Sequence, residues 1–155
     1  MRIIEMYHNR PFVFSIEVFP PKTEEGMVNL QEKLRIFSSF KPDYISVTYG
    51  AGGGTRQNTQ QLAGFIGNSL GIEVLAHLTC VSHTRKDVSL LKDQFLNEGV
   101  ENIMALRGDP PTAEKTFEPM PGGYRYASEL IEDLSRDRRF GIGAAGYPET
   151  HVDAI

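Results

Sequence analysis

The sequence predicts an α/β fold built on a parallel sheet, and three observations carry that expectation. Apolar runs of strand length alternate with amphipathic helical stretches. The alternation repeats about every 30 residues, enough for a helical crossover between parallel neighbours. Each apolar run also ends in polar or charged residues, at the strand end where parallel α/β folds gather their ligands. Two architectures fit such units. One is an open doubly wound sheet, and the other is the first five strands of a TIM (βα)8 barrel, which takes about 250 residues. Polar groups close every strand: Glu17, then Thr48 with Tyr49, His77 with Thr79, Arg107 with Asp109, and Tyr147. An open sheet needs them only around its switch point, whereas a barrel brings every strand end to one mouth, so the barrel is favoured.

The elements follow in order. Residues 12–19 read as the first strand, with Phe12, Phe14, Ile16 and Val18 on one face and Val13, Ser15, Glu17 and Phe19 on the other, closed by Pro20 and Pro21. Thr23 caps a helix with Glu24 and Glu25 in its first turn and Met27, Leu30, Leu34 and Phe37 as its stripe. The second strand is residues 44–49. After the glycine-rich residues 50–54, a helix carries Leu62, Phe65, Ile66 and Leu70 and stops at Gly71. Strand three is residues 72–79, and its helix opens with Thr84 and Asp87 at capping-box spacing, buries Val88, Leu91 and Phe95, and ends at Gly99. Strand four is residues 101–106. A polar Pro/Gly-rich excursion, residues 110–123, precedes a helix over 127–136 with Leu130, Ile131 and Leu134, and residues 140–145 form strand five.

Composition removes several function classes. In 155 residues, 40% of them hydrophobic, there is material for one ordinary core. A net charge of −4 without a Lys/Arg cluster argues against a nucleic-acid partner or an anionic membrane surface. The single cysteine, Cys80, leaves no internal disulfide and no Cys-rich zinc site, and residues 1–10 hold no apolar signal core, so a cytoplasmic setting is expected. No apolar run approaches the roughly 20 residues needed to span a bilayer.

Single residues then stand out. Ile103, Met104, Ala105 and Leu106 run straight into Arg107, Gly108 and Asp109, so a buried strand delivers two opposite charges at its carboxyl end. A pair bracing a turn would read the same way. Glu17 lies inside a strand of Phe, Val and Ile, where burial would raise its pKa into the range a general acid needs; a salt-bridged strand-end Glu is the alternative. The loop from Gly50 to Thr55 lacks the Gly-Lys-Ser/Thr of a P-loop and fits a mobile loop or close ligand approach instead. His77 can serve as a base or a hydrogen-bonding group; with no other His or Cys at metal spacing, no metal is expected. Cys80 reads as a small buried side chain.

Six segments together resemble one known family. F-S-I-E-V-F-P-P-K-T (residues 14–23), S-V-T-Y-G-A-G-G (46–53), L-A-H-L-T-C (75–80), I-M-A-L-R-G-D-P-P (103–111), Y-A-S-E-L (126–130) and A-G-Y-P-E-T-H (145–151) are similar, in order, to the successive motifs of methylenetetrahydrofolate reductases. The resemblance implies one partial catalytic barrel domain over residues 1–155. It implies reduction of 5,10-methylenetetrahydrofolate to 5-methyltetrahydrofolate by NADH or NADPH through FAD, a step of one-carbon metabolism and methionine supply. Glu17 and Asp109 would be catalytic and would contact the folate, Glu17 as general acid and Asp109 as electrostatic stabiliser beside flavin and pterin. Thr48, Tyr49, His77, Arg107, Gly108, Asp109, Ala127, Tyr147 and His151 would contact FAD. A barrel of this family needs about three more strands, so the resemblance also implies a homo-oligomer or a missing C-terminal half. A non-catalytic flavin-binding fragment, or a half-barrel subunit awaiting a partner chain, is the alternative.

Overall fold

Parallel pairing runs in chain order in the computed structural model, which describes residues 1–49, 56–109 and 117–150, with Arg56 described by its backbone alone. Strands β1 (Ser15–Val18), β2 (Tyr44–Val47), β3 (Glu73–Thr79), β4 (Asn102–Leu106) and β5 (Gly141–Ala144) form a single sheet of order β1-β2-β3-β4-β5. Every neighbouring pair is parallel. This order selects between the two architectures. A doubly wound sheet reverses direction at its switch point, whereas crossovers of constant hand in strictly sequential order place every helix on one face. The winding is that of a barrel.

The helices α2 (Glu24–Phe37), α3 (Arg56–Gly64), α4 (Arg85–Asn97) and α5 (Ala127–Arg136) lie between successive strands. Their starts follow from the capping chemistry. The Thr23 hydroxyl accepts from the Gly26 N–H at 3.1 Å, and Thr84 and Asp87 exchange side chain and backbone in a full capping box. A π-helical turn, Phe65–Ser69, extends α3. Gly71 and Gly99, both with positive φ, follow α3 and α4.

Alternation along each strand sends one set of side chains outward and the other inward. The outward set, with Ile45, Val47, Ala76, Leu78, Ile103 and Ala105 at its centre, packs against Leu34, Leu62, Ile66, Leu91, Phe95, Leu130 and Leu134 from the helices, all essentially without solvent contact. The inward set behaves differently at its two ends. At the amino ends of the strands, a helix absent from the sequence reading, α1 (Ile3–Asn9), inserts Ile3 and Met6 against Tyr44 and Leu75. Buried Asn102 fastens it: its Oδ1 accepts from the Ile3 N–H at 2.9 Å, and its Nδ2 donates to the Met1 carbonyl and to Glu73 Oε1, both at 3.0 Å. The carboxyl ends are polar and open.

Strand one is shorter than expected. Phe12 and Phe14 precede β1 and Phe19 follows it, and they are 74%, 38% and 70% exposed. An aromatic run therefore marks the approach to the strand, not its buried length. Residues 50–55, with the glycine-rich loop, residues 110–116 and His151 lie outside the described residues.

Candidate active site

Three adjacent strands project Glu17, Ser46 and His77 onto the inner face. Register pairs Glu17 with Ser46 across β1 and β2, and the Ser46 hydroxyl lies 3.4 Å from Glu17 Oε2 and 2.8 Å from His77 Nε2. Glu17 and His77 approach to 3.6 Å. His77 is buried, and desolvation lowers its pKa below the ordinary imidazole value, with the Glu17 charge opposing that shift. The neutral ring is the stable form near neutrality. Glu17 is not buried as the sequence reading expected: its side chain is 51% exposed. The strand does turn the carboxylate inward, but the inner face at this end is the mouth of the sheet and not its packed side, so water reaches it.

The end of β4 is held by continued pairing to the chain after β3. The Cys80 N–H donates to the Leu106 carbonyl at 3.0 Å and the Val81 N–H to the Arg107 carbonyl at 3.1 Å. Gly108 follows with φ +81°, and a Cβ there would sit 3.0 Å from Thr79 Cβ and 3.2 Å from Val81 Cβ. Both groups are anchored to backbone, so only glycine fits without strain. The turn leaves Asp109 exposed and Arg107 half-buried, its guanidinium 5.4 Å from the Phe117 ring centre. Cys80 is fully buried, and burial pushes its thiol up to about 12, which makes it an inert packing group.

Between β4, β5 and the start of α5 lies a cavity of about 370 Å³. Arg107, Ala127 and Tyr147, three of the sequence-designated residues, line it together with Tyr126, Ala144 and Ala145. Its apolar walls and small alanines suit a flat ring or chain, and Arg107 with the amino end of α5 supplies positive potential for an anionic group. Among the described residues, no cluster of three or more His, Cys, Asp or Glu is placed to hold a metal ion.

Thr48 and Tyr49 continue from β2. The Thr48 N–H donates to the Val18 carbonyl at 3.0 Å, and its own carbonyl accepts from Thr59 Oγ1 at 3.2 Å. The Tyr49 hydroxyl meets His83 Nε2 at 3.0 Å. Fully buried His83 faces the Val81 carbonyl through Nδ1 at 2.7 Å, so Nδ1 is the protonated nitrogen. The site residues therefore form two groups on one edge: Glu17 with His77 at β1 to β3, and Arg107, Ala127 and Tyr147 at β4 to β5. Sequence reasoning did not single out Ser46, His83 or Asn102, although each is a polar residue within or beside an apolar strand.

The comparisons with known proteins meet this geometry. Residues 2–155 match the family described as methylenetetrahydrofolate reductase. The chain belongs to the methylenetetrahydrofolate reductase family. It is 36% identical to methylenetetrahydrofolate reductase (NADH) 1 of Zea mays, over 99% of this chain and 26% of that one. With methylenetetrahydrofolate reductase 2 of Saccharomyces cerevisiae the identity is 38%, over 90% of this chain and 24% of the other. With the 5,10-methylenetetrahydrofolate reductase of Escherichia coli it is 37%, over 90% and 45%. The chain thus spans about a quarter of the plant and yeast relatives and under half of the bacterial one. Methylenetetrahydrofolate reductases are TIM barrels, and the sequential five-stranded sheet is barrel structure of that kind. Among the described residues, no helix is long and apolar enough to cross a membrane.

Proposed function

We propose that residues 1–155 are part of one catalytic barrel domain that reduces 5,10-methylenetetrahydrofolate to 5-methyltetrahydrofolate, with NADH or NADPH as electron donor and FAD as cofactor. The observation that carries this reading is the gathering of Glu17, His77, Arg107, Ala127 and Tyr147 on one edge of a sheet from this family. The 370 Å³ cavity would hold a part of FAD, its alanines offering a flat apolar wall and Arg107 a cation for phosphate or hydroxyl oxygens. Thr48, Tyr49, His77, Gly108 and His151 complete the set that would hold it. When bound, FAD supplies hydride transfer between nicotinamide and folate.

The chain's own residues supply the rest. Glu17 gives a proton to a folate nitrogen, which opens the five-membered ring to the reactive cation. Its side chain is open to the mouth, where it can meet the folate. Asp109, exposed after the Gly108 turn, places a negative charge where the folate cation develops. One-carbon metabolism and methionine supply in a cytoplasm is the setting that this activity implies.

The test is the visible spectrum of the purified chain before and after anaerobic NADH. A flavin band that bleaches supports the reading, and a chain that stays colourless with added FAD refutes flavin binding by these residues alone. Where folate turns over, Glu17→Gln should abolish folate reduction and spare NAD(P)H oxidation by an artificial acceptor. Equal loss of both would remove Glu17 from the acid role. A second reading is a half barrel that needs a partner chain; among the described residues β1 and β5 are the sheet's edge strands. An obligate assembly in size-exclusion chromatography favours it, and a stable monomer counts against it.

A further inference from the structure

Ser46 sits between two groups that the proposed function uses, and it is itself nearly buried, 6% exposed. A serine hydroxyl has one proton to donate and lone pairs with which to accept. An ionised carboxylate only accepts, so the proton of Ser46 points at Glu17 Oε2, 3.4 Å away. The Ser46 lone pairs then face His77 Nε2 at 2.8 Å, and that nitrogen must carry the hydrogen. Glu17 and His77 are 3.6 Å apart. The Ser46 hydroxyl lies nearer to each than they do to one another, with a short contact of 2.8 Å to His77 and a long one of 3.4 Å to Glu17, so the hydroxyl is the link. From β4, the neighbour of His77 in register is Met104, which does not titrate, and Glu17 is the charge that acts on the ring. Three strands thus align one donor chain, Nε2–H to Oγ–H to Oε2.

We propose that Ser46 is a positioning residue that orients Glu17 for proton delivery and fixes the tautomer of His77. This rests on the reading of Glu17 as the general acid. With Oε2 engaged as an acceptor, a proton taken up by Glu17 resides on Oε1, the oxygen not held by Ser46. In the transfer, the Oε1–H bond breaks, the folate nitrogen gains the proton, and Glu17 returns to a carboxylate. Ser46 and His77 keep their own protons throughout. His77, held as the Nε2–H form, offers Nδ1 only as an acceptor, so a cofactor atom meeting it there must be a hydroxyl or N–H donor.

The experiment uses the chain labelled with 15N-histidine and long-range 1H–15N spectra at mildly alkaline pH, with His77 assigned through His77→Gln. The wild type should show the Nε2–H form. In Glu17→Ala the hydroxyl has no carboxylate to serve, turns to Nε2, and moves the tautomer ratio at least about tenfold toward Nδ1–H. Ser46→Ala and Ser46→Ala/Glu17→Ala should share one ratio. Because Glu17 is half-exposed, its removal leaves packing intact, and unchanged amide signals elsewhere verify that. A His77 tautomer indifferent to Glu17→Ala, or one that still responds when Ser46 is absent, overturns the proposal. In a folate-reducing enzyme bearing this site, Ser46→Ala should lower kcat for the folate half-reaction about tenfold and Ser46→Thr should restore it. Failure of Thr to restore it would also overturn the positioning role. If the tautomer responds as expected but Glu17→Gln leaves folate reduction intact, the donor chain stands and the general-acid reading falls.

Discussion

The two faces of the sheet are made by the same five strands and share almost nothing else. Outward, alternate residues are Ile, Val, Leu and Ala sealed under four helices; inward, the same strands carry Glu17, Ser46 and His77 at one end and a small apolar floor under α1 at the other. A period of two is enough to separate what holds the fold from what performs chemistry. Stability should therefore reside mainly in the outward parity and the Glu17–Ser46–His77 chemistry in the inward one, while the cavity at the β4–β5 end also draws on outward Ala105 and Ala144.

The largest expected effect lies on the outer face. Phe95→Ala, at a fully buried position of α4, should cost about 3–5 kcal/mol and unfold much of the protein, as read by chemical denaturation. A loss below about 1 kcal/mol would mean that the helix-covered face does not carry the stability. Gly108→Ala probes the boundary between the faces, where positive φ and the 3.0 Å approach to Thr79 coincide. It should cost about 1–3 kcal/mol and displace Arg107 and Asp109, so affinity for the proposed flavin should fall with stability.

Thr84→Ala removes the reciprocal cap of α4 and should lower stability by about 1 kcal/mol with no change in cofactor affinity. Glu17→Gln, on the inner face, should change stability by less than about 0.5 kcal/mol. Its readout is the titration of His77. Burial already lowers that pKa and Glu17 opposes the shift, so removing the charge should lower it further. Because the folded-state value is depressed, the unfolded chain binds the proton more readily. Stability from this group is full above the unfolded histidine value, declines as pH falls below it, and finishes declining at the folded value. Glu17→Gln should stretch that window downward in pH; an unmoved His77 titration would separate the two groups.

Much of this was legible beforehand because the relevant signals are local. Thr23, Thr84 with Asp87, Gly71 and Gly99 mark helix ends through contacts within one turn, and the structure uses each of them there. The barrel winding followed from polar groups at every strand end. What escaped depends on partners far away in sequence. Ile3 and Met6 make too short a stripe to announce α1, Arg2 offers it no side-chain cap, and its anchor, Asn102, lies about 100 positions on. Ser46 looks like any small residue until β1 and β3 flank it. The inward direction of Glu17 could be read from alternation, but its exposure could not, since alternation does not say how full the inside is.

The sequential strand order has a consequence for how the chain acquires its shape. Each of β2 to β5 pairs with the strand before it, so these four ladders close across roughly 30 to 40 residues. A nascent chain can add one βα unit at a time to an edge already formed, and Glu17, Ser46 and His77 come together once the third strand docks. Glu17, Ser46 and His77 thus belong to the first three strands, and Arg107 and Tyr147 follow the fourth and fifth.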